Sequence, residues 1–258
     1  MPWTGAAALG MLLLAFAAGA ATGRHRVVDA VWGPAFAAVA LAGYLASAGH
    51  GDPSRRLLAL VLTAVWGVRL GAHIAWRGHG RPEDPRYEKL LAKAPGSRLW
   101  FAFTRVYLLQ AVLVWLLSLP VQAAEFTPAG LGPLAGVAVA GWATGVVFEA
   151  VGDWQLARFK ADPANKGRLM DRGLWYYTRH PNYFGDACVG WGLFLVAADS
   201  WGGWAVVAAP VAQTLLLTVG SGMRLTDRHM AATRPEYAAY AARTSGFVPY
   251  PPKRAGRG

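Results

Sequence analysis

Cysteine is nearly absent: Cys188 stands alone among 258 residues, so no disulfide can form within the chain. No Cys/His cluster has zinc-ligand spacing either, which leaves no structural metal to organise the fold. Acidic residues are scarce, 14 against 25 Lys and Arg. No charged side chain precedes Arg24, so the basic n-region of a secretory leader is missing, although Ala18 and Ala20 imitate a cleavage site. The segment reads as a retained first span. No period of 20–50 residues recurs, and no low-complexity linker divides the chain, so one domain over 1–258 is expected.

Apolar residues, by contrast, make up 55% of the sequence. They gather into runs of about 20, long enough to cross a hydrocarbon core of ~30 Å as helices. Seven spans are predicted, at 5–22, 30–48, 57–76, 99–119, 131–152, 183–198 and 203–222. The expected fold is an all-α integral membrane protein, because lipid offers a backbone no partner outside its own helix. Pro34 and Pro210 fall inside spans and predict kinks.

Lys and Arg set the orientation. The connections 24–26, 77–98, 158–180 and 223–258 hold 21 of the 25, while the opposite side holds only Arg55 and Arg56. The N-terminus is therefore expected outside and the C-terminus in the cytoplasm of a multi-pass protein. The net charge of +11 is first a topology signal and needs no nucleic-acid partner. Segment 226–244 predicts a short helix lying on the bundle, and the residues after Pro249 a loose basic end.

Ionisable residues inside spans are costly and mark candidate sites. Asp29, Arg69, His73, Arg105, Glu149 and Asp153 are such residues, with Asp186 opening the sixth span. Arg69 and His73 lie four apart, as do Glu149 and Asp153, so each pair shares a helix face. Two carboxylates on one face repel unless a cation, a shared proton or a ligand's donors separate them. Ion pairs such as Asp29 with Arg69, or Arg105 with Glu149, are the structural alternative.

The densest chemistry lies in 158–186. Its Arg and Lys can grip phosphates, while Asn182, Asp153 and Asp186 can bind ribose hydroxyls or an amide. Trp175, Tyr176 and Tyr177 offer flat stacking surfaces. A positive-inside loop with an aromatic belt would have the same composition. No phosphate-binding glycine fingerprint follows a strand, since Gly220-Ser221-Gly222 ends a span, which excludes a Rossmann-type nucleotide site.

Lys166-Gly167-Arg168, Arg172-Gly173-Leu174-Trp175 and Arg179-His180-Pro181-Asn182-Tyr183-Phe184-Gly185-Asp186 resemble the steroid 5α-reductase-like membrane family, in its bacterial branch. The ending from Arg224 to Met230, then Arg234-Pro235-Glu236-Tyr237 to Phe247-Val248-Pro249, is similar as well. The resemblance covers about 145–252. Asp29-Ala30-Val31-Trp32-Gly33 and Glu83-Asp84-Pro85-Arg86-Tyr87 extend it into the first half.

The resemblance implies a seven-helix bundle with NADPH in its cytoplasmic half, passing hydride to the C=C bond of a lipid-like or steroid-like enone. It implies cofactor contacts at Glu149 (Asn in the steroid reductases), Asp153, Lys160, Arg168, Tyr176, Asn182 and Arg224, with Arg81 as another basic contact. Lys160, Arg168 and Arg224 would hold phosphates. Steroid reductases hydrogen-bond the substrate ketone through a Gln-Glu pair and a Tyr in the N-terminal half. Here no Gln precedes Gln110 and no Tyr lies between Tyr44 and Tyr87, so Asp29 and His73 are the candidate acids.

Arg179-His180-Pro181-Asn182-Tyr183-Phe184-Gly185 and Tyr237-Ala238-Ala239-Tyr240 are also similar to S-adenosylmethionine-dependent methyltransferases of the isoprenylcysteine type. Their paired Glu before that ending is replaced by Thr226-Asp227. A transporter or structural protein with buried charges is the third alternative.

Overall fold

The computed structural model describes residues 2–220 and 222–253. Readings that fall on Ser221 and on 254–258 lie outside the described residues. The described chain is helical, with an isolated parallel bridge between Thr178 and Ser245. It divides into two compact units, 1–135 with 193–209, and 136–192 with 210–258.

In the first unit α1 (Pro2–Thr22), α2 (Val27–Ala46), α3 (Pro53–Gly78) and α5 (Arg98–Leu117) are each long and apolar enough to cross a membrane. α5 carries a π-helical stretch, Phe103–Leu108, which no sequence signal announces. Start signals are local. Asp52 caps α3 by accepting from Arg55 N at 2.9 Å with Pro53 following, and Asp84 caps the short α4 (Pro85–Leu91) through Arg86 N at 2.8 Å. α5 ends at Leu117 rather than 119, and Pro120 opens a separate short helix, α6 (Leu119–Glu125).

α2 and α3 meet backbone to backbone. A methyl group on Gly33 would overlap the Gly67 carbonyl, and one on Gly67 the Gly33 carbonyl. Small residues at such a crossing let two spans gain dispersion contacts that lipid would otherwise supply. Gly71 accommodates the ring of Pro34 in the same way. The faces turned away are apolar and exposed, as at Leu14 (69%) and Val68 (57%), which suits hydrocarbon and not water.

Arg55 and Arg56, the two cations expected on the sparsely charged side, are buried. Arg55 donates to Ala129 O (2.9 Å), Gly130 O (2.6 Å) and Val196 O, and faces Asp199 at 3.4 Å. Asp199 in turn accepts from Gly132 N and Leu134 N. Arg56 donates to Ser47 Oγ at 2.7 Å and to Tyr44 O. Arg55 thus spends its planar fork on loop and helix-end carbonyls and Arg56 on a hydroxyl and a helix-end carbonyl, the condition under which a buried charge is tolerated.

In the second unit α7 (Leu134–Ala161) continues nine residues beyond its predicted end at 152. It crosses α8 (Pro181–Ala198) at Gly145 and Gly185, each filling the space a side chain on the other would need. The predicted span 183–198 is a helix, but Asn182 and Asp186 dilute its start and it is not among the six helices that meet the length and hydropathy of a span. The predicted span 203–222 is a 3-10 stretch, Trp201–Val206, followed by α9 (Ala208–Thr218), within an apolar helical run that reaches Thr233. The expected helix over 226–244 is two helices, α10 (Met223–Thr233) and α11 (Tyr237–Arg243), because Pro235 cannot continue the first. Tyr250 N donates to Tyr177 O (3.0 Å) and Lys253 N to Arg243 O (2.9 Å), so the chain after Pro249 is tied down as far as Lys253.

These long apolar helices are consistent with a multi-pass integral membrane protein.

Candidate functional site

In the second unit, Glu149 and Asp153 lie one turn apart on α7 and are 2% and 7% exposed. The glycine crossing produces this burial. A methyl group on Gly185 would sit 2.8 Å from Glu149 Cγ, so α8 presses directly on the carboxylate-bearing turn. Asn182, in the first turn of α8, donates its amide to Asp153 Oδ1 at 2.9 Å. Three residues expected at a cofactor's polar groups are therefore gathered by the α7–α8 pair.

The expected phosphate contacts Lys160, Arg168 and Arg224 are exposed. Tyr176 is 45% exposed and meets Tyr177 edge-on, with ring centroids 5.3 Å apart. Trp175, grouped with them as a stacking surface, instead donates its indole N–H to Gly152 O at 3.1 Å, which fixes the 174–177 turn to α7. Gly173, at φ +60°, permits that turn to begin, and Gln155 accepts from Leu174 N at 2.9 Å.

Beside this wall lies a cluster the sequence reading did not assemble. Asp227 of α10 accepts from His180 Nε2 at 2.7 Å and from the Tyr237 hydroxyl, and it pairs with Arg179 at 3.2 Å. The His180 ring stacks flat on Tyr183, with centroids 5.2 Å apart. Burial pushes the His180 imidazole below its ordinary pKa, against the opposing pull of Asp227. Burial first, and then the Asp227 bond, push the Tyr237 phenol up. A neutral imidazole whose Nε2–H is held by a carboxylate keeps Nδ1 as its basic nitrogen.

In the first unit, Asp29 accepts from the Tyr87 hydroxyl at 2.6 Å and from Arg86 at 3.0 Å. Arg86 also bridges to Asp84 at 3.0 Å. Tyr87 is buried, and burial followed by the Asp29 charge raises its pKa, so it is a phenol donor at neutral pH. His73, on α3, lies 5.9 Å from the Trp76 ring and is half-buried, while Arg81 is exposed in the loop that follows. Sequence reasoning missed Tyr87 as a site residue although it quoted the motif carrying it. The partner lies 58 residues away, and only the fold of the 78–87 loop brings them together.

A family model, that of a protein of unknown function (DUF1295), matches residues 15–244. No curated protein and no solved structure matches the chain.

Proposed function

The chain belongs to the DUF1295 family, and from its site geometry we propose that it is a membrane-embedded, NADPH-dependent reductase that passes hydride to the C=C bond of a lipid-like enone. The observation that carries this reading is the buried wall of Glu149, Asp153 and Asn182 beside a basic segment. Asn182 already orients Asp153, and the buried face the three side chains form offers acceptors of the kind that a nicotinamide's amide and ribose hydroxyls bind.

In this proposal the protein spans the membrane seven times, with its N-terminus outside and its cytoplasmic face carrying the site, in a bacterial inner membrane. Bound there, NADPH would supply the hydride. Glu149, Asp153 and Asn182 orient its polar groups, while Lys160, Arg168 and Arg224 hold phosphates and Tyr176 offers a stacking face. On the first unit the Tyr87 hydroxyl, kept protonated, would exchange its bond to Asp29 for one to the substrate ketone and so stabilise the negative charge that develops on oxygen. His73 is the further donor on the same unit.

The test is thermal stabilisation of the purified full-length protein in detergent by NADPH, NADH and S-adenosylmethionine, since a ligand that binds only the folded state raises its apparent stability. NADPH is expected to stabilise it, and Asn182→Ala and Arg168→Ala to lose that response while remaining folded. Stabilisation by S-adenosylmethionine alone would replace the proposal with the methyltransferase reading. No response to any of the three would leave a transporter or structural role.

A further inference from the structure

A second cavity of the 136–192 and 210–258 unit, about 380 Å³, has no role in the proposed hydride chemistry. Three chain segments build it, and backbone bonds lock them together. Arg179 N donates to Ser245 O at 2.9 Å, Tyr250 N to Tyr177 O, and Lys253 N to Arg243 O. The walls are therefore formed before any ligand arrives.

Two residues that line it carry a buried polar atom with no hydrogen-bond partner among the described residues, the Nε of Arg179 and the hydroxyl of Thr244. Thr244 is 4% exposed. Buried donors are almost always satisfied, by protein, water or ligand, so two in one cavity point to something that completes them. Gly246 leaves room for the guanidinium, since a methyl group there would sit 3.0 Å from Arg179 Nη2.

Charge selects the ligand class. Arg179 is matched by Asp227 at 3.2 Å and Arg243 by Asp171 at 2.6 Å, while Lys253 on the rim adds a further positive charge. An acceptor-rich anion fits a guanidinium edge, a hydroxyl donor and an ammonium at once. The volume exceeds that of one inorganic phosphate and accommodates a substituent.

We propose that the cavity lined by Arg179, Thr244 and Lys253 binds a phosphate-bearing anion, separately from the exposed cations assigned to the cofactor. The phosphate belongs either to a free phosphomonoester or to a lipid headgroup. The rim suits both sources, because Tyr177 and Tyr250 are exposed beside it and such aromatics favour the membrane–water boundary.

The experiment measures the detergent-purified full-length protein, at constant ionic strength, with inorganic phosphate and with short-chain phosphatidic acid, by thermal shift and calorimetry. At least one probe is expected to bind saturably. Thr244→Val combined with Lys253→Ala should weaken it by about tenfold or more. Thr244→Val alone keeps the shape and removes only a hydroxyl that has no partner among the described residues, so it should fold as well as the parent and still bind more weakly.

Lys160→Ala with Arg168→Ala should leave phosphate binding unchanged, which separates this cavity from the cofactor reading. Response to phosphatidic acid alone identifies a lipid headgroup, and response to both probes a soluble phosphate. The proposal is overturned if neither probe binds saturably, if the Thr244 and Lys253 variants bind like the parent, or if the Lys160 and Arg168 variant abolishes binding.

Discussion

His180 and Asp227, 47 residues apart in the chain, meet at 2.7 Å and tie the start of α8 to α10. A carboxylate cannot donate, so the imidazole Nε2 carries the proton. Asp227 also accepts from Tyr237 and pairs with Arg179, so one side chain satisfies three donors from two segments. The cluster fixes the turn into α8 from which Asn182 reaches Asp153, and links the C-terminal helices to the candidate cofactor wall.

Replacing Asp227 with Asn leaves an amide that accepts through one oxygen and carries no charge. His180 and Tyr237 already share Oδ1 and can keep it, but the amide nitrogen that replaces Oδ2 faces the Arg179 cation, which loses its counter-ion. A loss of about 2 kcal/mol is expected, the usual scale for hydrogen bonds to a charged group. Chemical denaturation in detergent micelles would measure it, and an unchanged midpoint would show that the cluster contributes nothing to stability.

Acid should destabilise the protein through two histidines. Burial holds both His25 and His180 below the ordinary value of 6.5, in each case outweighing a nearby carboxylate, Glu83 and Asp227 respectively. A depressed folded pKa means that the unfolded chain takes up protons first as pH falls. The stability these neutral rings provide is complete above about pH 6.5 and is lost as pH drops through the folded values. Melting temperatures recorded from pH 8 to pH 5 should fall on the acid side, and His25→Gln with His180→Gln should flatten that fall.

The opposite limb belongs to Glu125, at the end of α6. It is fully buried, and neither carboxyl oxygen has a hydrogen-bond partner among the described residues. Burial pushes its pKa up to about 9, with Arg56 pulling the other way. A raised folded pKa gives stability that is complete below the unfolded value and is lost as pH rises towards about 9. Glu125→Gln, neutral at every pH, should remove this alkaline slope and be more stable than the parent at pH 8. A parallel shift of the whole curve, with the slope intact, would assign the slope to another group.

What the sequence made legible is what short-range spacing encodes. The Glu149/Asp153 pair follows from a four-residue interval on one helix, and Asn182 from its place in a resembling motif. Six of the seven predicted spans fall on helices or helical runs long and apolar enough to cross a membrane. Spacing could not show that Asp29 meets Tyr87 and Arg86, because the intervening loop decides it. Nor could it show that Arg55 and Arg56 are buried, since a charge count treats every cation near a span end as solvated, whereas Arg55 satisfies loop carbonyls and Arg56 the Ser47 hydroxyl and the Tyr44 carbonyl. Asp199, Glu125 and Asp227 each stand alone in sequence and gain meaning only from donors, or a lack of donors, supplied by distant segments.

The crossing of α7 and α8 offers the sharpest test of how packing builds the site. A methyl group on Gly185 would lie 2.6 Å from Gly145 O, 2.8 Å from Glu149 Cγ and 3.0 Å from Glu149 N, two of these being backbone atoms that cannot swing aside. Gly185→Ala must therefore push the helices apart at the carboxylate-bearing turn, with an overpacking cost of about 1–3 kcal/mol. Gly141, on the same α7, meets nothing within 4 Å, so Gly141→Ala should instead be neutral or stabilise by up to about 1 kcal/mol, the ordinary gain of alanine over glycine in a helix. Under the reductase proposal the Gly185 variant should also lose affinity for NADPH at a temperature where it is still folded, because Glu149 moves with the crossing. Equal melting temperatures for the two variants would mean that the glycine contact does not hold Glu149 in place.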